Sequence, residues 1–207
     1  MSGPVMVVVA YLLGSIPFAY LAGRARGVDL RTVGSGNLGA ANVFRNLGRR
    51  WGVGVMAADI GKGVLAVALA RALSDDPWPA IAAGAAMAGH VFPVWLRFKG
   101  GKGVAVGGGA VIALMPLAAA ILFAGWIVIL LATRYSSLAS ITGAAAATPL
   151  AWAMDYPVST VVFVGLAAAA VLVLHRGNIA RLVTGRENRL ELRRGRRGRE
   201  DASSRAT

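Results

Sequence analysis

The chain has 207 residues, of which 57% are hydrophobic and 15% are charged, whereas soluble domains average about 25% charged residues. It contains no cysteine, which excludes disulfides, thiolate metal sites and a cysteine nucleophile. The formal net charge is +13, but ten of the 22 basic residues follow His175 and most others occupy short gaps between apolar runs. This distribution is typical of membrane proteins that obey the positive-inside rule and not of a nucleic-acid-binding surface.

Seven apolar runs along the chain are candidate transmembrane helices, each of which needs about 20 apolar residues. The first run begins without basic residues and is followed by Arg24 and Arg26, so we expect a membrane span there and no cleavable signal peptide. Pro116 divides residues 104–133, so we expect a hairpin of two full crossings or of a re-entrant pair. The seven runs cover residues 4–23, 52–73, 79–96, 104–115, 117–133, 138–154 and 158–174.

The charges between these runs predict the side of the membrane that each loop faces. Residues 24–50 carry six arginines against Asp29 alone, and residues 97–102 carry three basic residues, so both segments are predicted to be cytoplasmic. Residues 74–77 and 155–157 contain no basic residue and are predicted to lie outside. The sequence therefore predicts an all-α, polytopic membrane bundle of about seven short helices, with the N-terminus outside and the C-terminus cytoplasmic.

An Arg-rich segment follows the last apolar run. Residues 193–199 contain five arginines, a composition that suits an anionic inner leaflet and does not suit a packed core. We therefore expect a single transmembrane domain over residues 1–192. Residues 193–207 are expected to form a disordered cytoplasmic tail without a catalytic role.

Two glycine-rich clusters fall in the predicted cytoplasmic loops. Residues 34–45 combine three glycines with Ser35, two asparagines and Arg45, a composition that favours an anion-binding nest over a helix. The alternative is a flexible loop. Residues 99–103 read KGGKG before an apolar run, which resembles a phosphate-binding turn at a helix N-terminus. Its alternative is a basic turn that anchors the interface, and no Walker A motif indicates nucleotide hydrolysis.

Three further polar groups interrupt the apolar pattern. Residues 134–140 contain hydroxyls that are either site residues or helix caps. Residues 175–188 place His175 and Asn178 at helical spacing, on a possible site face or on a solvated helix end. Asp59 and Lys62 lie at i and i+3 inside the second run, where we expect a structural ion pair because unpaired charges are costly there.

These clusters together favour an enzyme that brings a small anionic headgroup together with a lipid chain at the cytoplasmic face. The sequence lacks a G-x-S-x-G elbow, an H-x-x-x-x-D motif and a His/Asp/Glu metal constellation. Catalysis would then depend on positioning and on charge stabilisation. A transporter for an organic phosphate is the alternative, but it would favour a midplane site and an internal repeat. A purely structural membrane protein is the third option.

The same clusters are motifs of a known family. The chain resembles the bacterial acyl-phosphate:glycerol-3-phosphate acyltransferases, the PlsY family, from residue 14 to residue 187. It departs from the family at Leu38, Ala41 and Val106, where Pro, Thr and Thr are frequent, and the change at Ala41 removes one hydroxyl from the first loop. The matching motifs are GSIP at 14–17, GSGNLGAAN at 34–42 with Arg45, DIGKG at 59–63, GHVF at 89–92, FKGGKGVA at 98–105, SLAS at 137–140 and HRGNIARLVTGRE at 175–187.

The resemblance implies a specific reaction. A fatty acyl group would pass from acyl phosphate to the 1-hydroxyl of glycerol 3-phosphate, giving lysophosphatidic acid and inorganic phosphate in the first step of phospholipid biosynthesis. It implies no cofactor, no metal and no nucleic acid, and a soluble phosphate acyltransferase that supplies the acyl phosphate. The protein would be a multi-pass component of the bacterial inner (plasma) membrane, in contact with membrane lipid, with its active site on the cytoplasmic side.

The resemblance also implies roles for individual residues. Attack is expected to be direct, with no acyl-enzyme, and the hydroxyl proton would pass to a substrate phosphate oxygen or, alternatively, to His175. The catalytic residues would be Lys102, His175, Ser140 and Arg45. The substrate-binding residues would be Ser35, Gly36, Asn37, Gly39, Asn42, His90, Gly100, Gly101, Gly103 and Asn178.

Overall fold

All regular structure in the described part of the chain is helical. The structure is a computed structural model that describes residues 3–190, so the predicted tail over residues 193–207 lies outside the described residues. The all-α prediction is confirmed for residues 3–190. The α-helices are α1 (Gly3–Ser15), α2 (Phe18–Ala25), α3 (Ala40–Leu47), α4 (Arg49–Leu73), α5 (Trp78–Val91), α6 (Val104–Leu114), α7 (Pro116–Thr133), α8 (Ser136–Ala153), α9 (Val158–Leu174) and α10 (Arg176–Val183), and Val94–Leu96 form one 3₁₀ turn.

Two of the predicted runs are broken by proline. The run at 4–23 is divided between α1 and α2, because Pro17 has no N–H to donate and its ring disfavours a helical conformation at the residue before it. The run at 79–96 stops as an α-helix at Val91, two residues before Pro93, and continues as the 3₁₀ turn. Each run therefore contains a helix break, although both stretches are still long and apolar enough to span a membrane.

The structure also refines the predicted hairpin and the first glycine-rich cluster. Residues 104–133 form two helices that meet at Met115, with Pro116 in the first turn of α7, so the predicted division is confirmed. Residues 34–39 are non-helical as predicted, but residues 40–45 belong to α3. Helix formation begins after Gly39, where the glycines end and the sequence AANVF can form helical hydrogen bonds.

Several of these helices are long and apolar enough to span a membrane. Four stretches of the described residues meet that test alone, namely Gly3–Ala25, Arg49–Leu73, Trp78–Leu96 and Pro116–Thr133. A fifth would combine α9 with α10, which are bent by 58° relative to each other. Helix α6 is apolar but shorter. The seven-crossing count therefore remains a prediction.

Close backbone approaches hold the bundle together around α4. A Cβ atom built on Gly63 of α4 would lie 2.2 Å from the carbonyl oxygen of Val106 in α6, and one on Gly14 of α1 would lie 2.0 Å from that of Ala86 in α5. Only glycine allows such approaches, as expected for helices that associate in lipid through small residues. This packing places the N-terminus of α6, the end of α5 and the middle of α4 next to one another.

Candidate active site

The helices enclose a cavity of about 630 Å³ that is polar at one end and apolar along the rest of its length. Polar and charged side chains come from the loop before α3, the turn before α6, the start of α8 and the segment after α9. The polar lining includes Ser35, Asn37, Asn42, Arg45, Asp59, His90, Lys102, Ser136, Ser137, Ser140, His175, Asn178, Arg181, Glu187 and Asn188. The apolar lining includes Ile60, Val104, Val111, Ile112, Leu122, Phe123, Ala144, Ala147, Val164, Ala168 and Val171.

A buried carboxylate organises the polar end. Glu187 Oε1 accepts hydrogen bonds from Ser137 Oγ at 2.8 Å and from Asn178 Nδ2 at 2.6 Å. Its Oε2 forms an ion pair with Arg181 Nε at 2.8 Å. Burial alone raises the pKa of the Glu187 carboxyl, but these hydrogen bonds and the Arg181 charge outweigh burial and hold the pKa below its usual range. Glu187 is therefore ionised and joins α8 to α10.

Lys102 lies beside this carboxylate network. Its ammonium donates to Asn178 Oδ1, so that Lys102, Asn178 and Glu187 form one chain of hydrogen bonds. Burial, and then the nearby Arg181 charge, lower the pKa of Lys102 to about 8. The lysine is thus cationic at neutral pH, but it holds its proton less firmly than an exposed lysine does.

Arg45 supplies the third cation of the polar end. It is in the last turn of α3 and lines the cavity. Its Nε is buried and has no hydrogen-bond partner among the described residues. A buried, unpaired N–H donor is costly, and an anionic oxygen is its strongest partner. The arrangement of Arg45, Lys102 and Arg181 around one space is therefore suited to phosphate.

The side chain of Asn42 stabilises the conformation of the loop before α3. Asn42 is buried, and its Oδ1 accepts the Ser35 N–H at 3.0 Å. Its Nδ2 donates to the carbonyl oxygens of Leu30 and Val33, at 3.0 and 3.2 Å. The amide of Asn42 is consequently engaged within the loop, although the residue borders the cavity, and Ser35 is presented to the cavity by that contact.

Two candidate residues from the second half of the chain have specific hydrogen bonds. The Ser140 hydroxyl donates to the Ser136 carbonyl at 2.8 Å and accepts from Trp126 Nε1 at 3.3 Å. His175 Nδ1 lies 2.8 Å from the Val171 carbonyl oxygen. Because that oxygen only accepts, we assign the proton of a neutral His175 ring to Nδ1, which leaves Nε2 as an acceptor.

Three predicted substrate-binding glycines are not on the cavity wall, whereas Gly39 and Gly103 are. Gly36 approaches the Arg31 carbonyl in the loop before α3. Gly100 and Gly101 pack against His90, and a Cβ on Gly101 would lie 2.2 Å from His90 Nε2. These three glycines permit close packing behind the cavity wall, so their expected direct contact with substrate has no geometric support.

His90 borders the cavity but its ring is engaged behind the wall. His90 Nδ1 is 3.1 Å from Lys62 Nζ and 3.5 Å from Asp59 Oδ1. The predicted pairing of Asp59 with Lys62 is present, with an Oδ1–Nζ distance of 2.9 Å. Both side chains are almost completely buried.

Sequence reasoning assigned no individual site role to four residues that the structure places in the cavity wall. Ser137, Arg181 and Glu187 complete the polar network, and Trp126 contacts Ser140. Glu187 carried a usable signal, because it is the only acidic residue between Asp155 and residue 190, among several arginines. Trp126 had none, since an aromatic residue in an apolar helix is ordinarily a packing residue.

Comparison with known proteins identifies the family of this chain. The sequence family described as Glycerol-3-phosphate acyltransferase matches residues 4–185. The chain belongs to that family. It is accordingly a membrane glycerol-3-phosphate acyltransferase, an enzyme whose product is lysophosphatidic acid.

Individual relatives cover nearly the whole acyltransferase. The chain is 46% identical to the glycerol-3-phosphate acyltransferase of Rubrobacter xylanophilus over 192 residues, covering 92% of this chain and 96% of the relative. It is 48% identical to that of Roseiflexus sp. (strain RS-1), covering 90% and 94%.

Solved structures of PlsY (YgiH), an integral membrane glycerol 3-phosphate acyltransferase, share the fold. The glycerol 3-phosphate form superposes with a TM-score of 0.89 at 42% identity, covering 92% of this chain and 96% of that one. The lysophosphatidic acid form gives a TM-score of 0.86 at 40% identity, with the same coverage.

The lowered pKa of Lys102 predicts a pH dependence. If the ammonium attracts substrate phosphate, kcat/KM should fall as the pH rises through about 8, because the free enzyme then loses that charge. Lys102→Arg keeps its charge at higher pH. We expect its kcat/KM to be lower than that of the wild type but not to fall over this pH range. Initial rates of lysophosphatidic acid formation between about pH 6.5 and pH 10 test this. Identical alkaline limbs in both proteins would contradict it.

Proposed function

We propose that the acyl donor is acyl phosphate and that the acyltransferase carries its acyl group to the 1-hydroxyl of glycerol 3-phosphate. The observation that carries this proposal is the grouping of Arg45, Lys102 and Arg181 at one end of a cavity that is otherwise apolar. Such a space suits an anionic headgroup joined to a hydrocarbon chain. The cations also suit the phosphate of the acceptor, which must lie beside the donor during transfer.

Transfer is proposed to be direct. The 1-hydroxyl oxygen forms a bond to the acyl carbon, and the bond from that carbon to the phosphate oxygen breaks. Lys102 and Arg45 stabilise the charge that develops on the acyl oxygen and on the leaving phosphate. The hydroxyl proton passes to a phosphate oxygen, so the products are lysophosphatidic acid and inorganic phosphate.

The remaining candidate residues are assigned to binding. Asn178 and Ser140 hold the acceptor with His175, while Ser35, Asn37 and the backbone at Gly39 and Gly103 face the donor phosphate. Asn42 acts through the loop that it holds together. A soluble phosphate acyltransferase would supply the acyl phosphate.

The donor assignment is tested by purified protein in detergent with palmitoyl phosphate and glycerol 3-phosphate. We expect phosphate release that requires both substrates and yields lysophosphatidic acid, and no reaction when palmitoyl-CoA replaces palmitoyl phosphate. Reaction with palmitoyl-CoA alone would reject acyl phosphate as the donor. Saturable glycerol 3-phosphate flux into liposomes without acylation would support the transporter alternative.

Substituting His175 tests the assignment of the base. We expect His175→Gln to retain kcat within about tenfold, because the substrate takes the proton, whereas a lost general base costs about 10²–10⁴-fold. Lys102→Ala is the comparison variant and should raise the barrier by at least about 3 kcal/mol. Steady-state kinetics with both substrates measure these effects. A kcat for His175→Gln as low as that for Lys102→Ala would make His175 the base.

The proposed topology has seven crossings in the bacterial inner membrane, with the active site on the cytoplasmic side. Its support is the position of the cavity's basic residues in loops rich in arginine and lysine. Because the chain has no cysteine, Asp75→Cys and Arg134→Cys each introduce a single thiol. An impermeant maleimide should label Asp75→Cys in intact cells or spheroplasts, and Arg134→Cys only after permeabilisation. The reverse pattern would invert the topology.

A further inference from the structure

Three titratable side chains are buried together at the wall of the active site, where Asp59 and His90 border the cavity and Lys62 is not part of its lining. Lys62 Nζ lies 2.9 Å from Asp59 Oδ1 and 3.1 Å from His90 Nδ1. Asp59 and Lys62 lie in the middle of α4, and His90 is in the last turn of α5. All three residues have less than a tenth of their surface exposed. This group, the Lys62 cluster, includes no residue of the proposed transfer chemistry, although His90 was among the residues predicted to bind substrate.

The Lys62 cluster links the ends of two helices. Lys62 Nζ donates to the Ile16 carbonyl oxygen at 2.8 Å, at the break that Pro17 creates between α1 and α2. The same ammonium contacts the His90 ring at the end of α5. Carbonyl groups at helix ends lack intrahelical partners, and in lipid no water replaces them. Lys62 therefore fixes the broken end of α1 and the end of α5 relative to α4.

The end of α5 in turn holds the turn that carries Lys102. The Gly101 N–H donates to the His90 carbonyl at 3.1 Å, and the Gly100 N–H donates to the Val91 carbonyl at 3.0 Å. Gly101 also lies against the His90 ring, where no Cβ atom fits. Lys102 is the next residue, and its ammonium reaches Asn178 across the cavity. One continuous series of contacts thus runs from Lys62 through His90 to Lys102.

We propose that the Lys62 cluster is a positioning device for Lys102, and that His90 acts through the turn at residues 100–101 and not as a substrate ligand. This inference rests on the proposed role of Lys102. A buried ion pair contributes little net stability compared with apolar side chains of the same volume. The cluster instead fixes the relative positions of the helices. Lys62 contacts the end of α1 and the His90 ring, and that ring touches the turn at residues 100–101.

The test separates positioning from stability by removing both charges together. Asp59→Asn/Lys62→Met leaves no unpaired buried charge, so the double variant should fold. His90→Gln is the second variant, and it keeps the ion pair and the backbone carbonyl. Arg71→Met is the matched control, since Arg71 lies on the same helix and donates to the carbonyls of Ala113 and Leu114 at the end of α6 (3.1 Å for Leu114), away from Lys102.

Two readouts are compared with the thermal unfolding midpoint of each variant. The first is kcat/KM with acyl phosphate, which should fall by at least about tenfold in the double variant and in His90→Gln, as expected for a misplaced catalytic group. The second is acetylation of Lys102 by an amine-selective ester, measured by mass spectrometry against exposed Lys99 of the same molecule. Lys102 should become more reactive in both variants and remain as in wild type in Arg71→Met.

The labelling readout does not require turnover, so it decides the positioning proposal even if the proposed donor is wrong. Unchanged Lys102 reactivity in the folded double variant and in His90→Gln would overturn the proposal. So would a loss of activity that follows the unfolding midpoint equally in all variants, Arg71→Met included. A wild-type protein that fails with acyl phosphate while its Lys102 reactivity responds to the substitutions would reject the donor and keep the positioning device.

Discussion

In hydrocarbon no water satisfies a peptide carbonyl, so each break in a membrane helix must be capped from within the protein. This constraint acts at three places in the acyltransferase. Lys62 caps the end of α1, Arg71 caps the end of α6, and the turn at residues 100–101 caps α5. These partners satisfy terminal carbonyls of the short helices that proline creates, and they bring polar groups into the bundle.

One of these capping interactions positions an active-site residue. The turn that satisfies the end of α5 also opens α6 and carries Lys102, so a structural requirement of the bundle sets the position of a substrate-binding cation. Glu187 has a complementary effect from the other side of the cavity. Its carboxylate accepts hydrogen bonds from Asn178 and Arg181, and the side-chain oxygen of Asn178 accepts one from Lys102. Without an anion inside the protein, three neighbouring cations would repel one another in a medium of low dielectric constant.

The cavity joins two chemical environments, one polar and one apolar. Its polar end faces the loops with basic residues, and its apolar part lies between α6, α7, α8 and α9. Trp126 lies at the boundary, with its indole N–H on the Ser140 hydroxyl and its ring stacked on Phe123 at a centroid distance of 6.1 Å. An aromatic residue with one polar atom suits such a boundary. Substrates that are themselves amphiphilic therefore match the cavity along its length.

The sequence by itself determined the class of the fold and led to many of the polar side chains that line the cavity. Apolar runs of 17 or more residues and the placement of arginines predict membrane helices, because hydrocarbon excludes polar side chains irrespective of their partners. Prolines at 17, 93 and 116 could also have predicted three of the helix breaks, since the missing N–H is a local property, whereas the breaks at Gly48 and His175 involve no proline. The glycine-rich motifs led to Arg45 and Lys102, and the family resemblance to Asn178.

Only the tertiary structure decided what each of these residues contacts. It showed that Gly100 and Gly101 pack behind the cavity wall, that Asn42 is engaged within its own loop, and that the ring of His90 belongs with Asp59 and Lys62. Glu187 and Ser137 are 50 residues apart in the chain, and Lys102 and Asn178 are 76 apart. No local sequence pattern predicts such pairings. They depend on how the helices pack, which brings the turn before α6, the start of α8 and α10 to one end of the cavity.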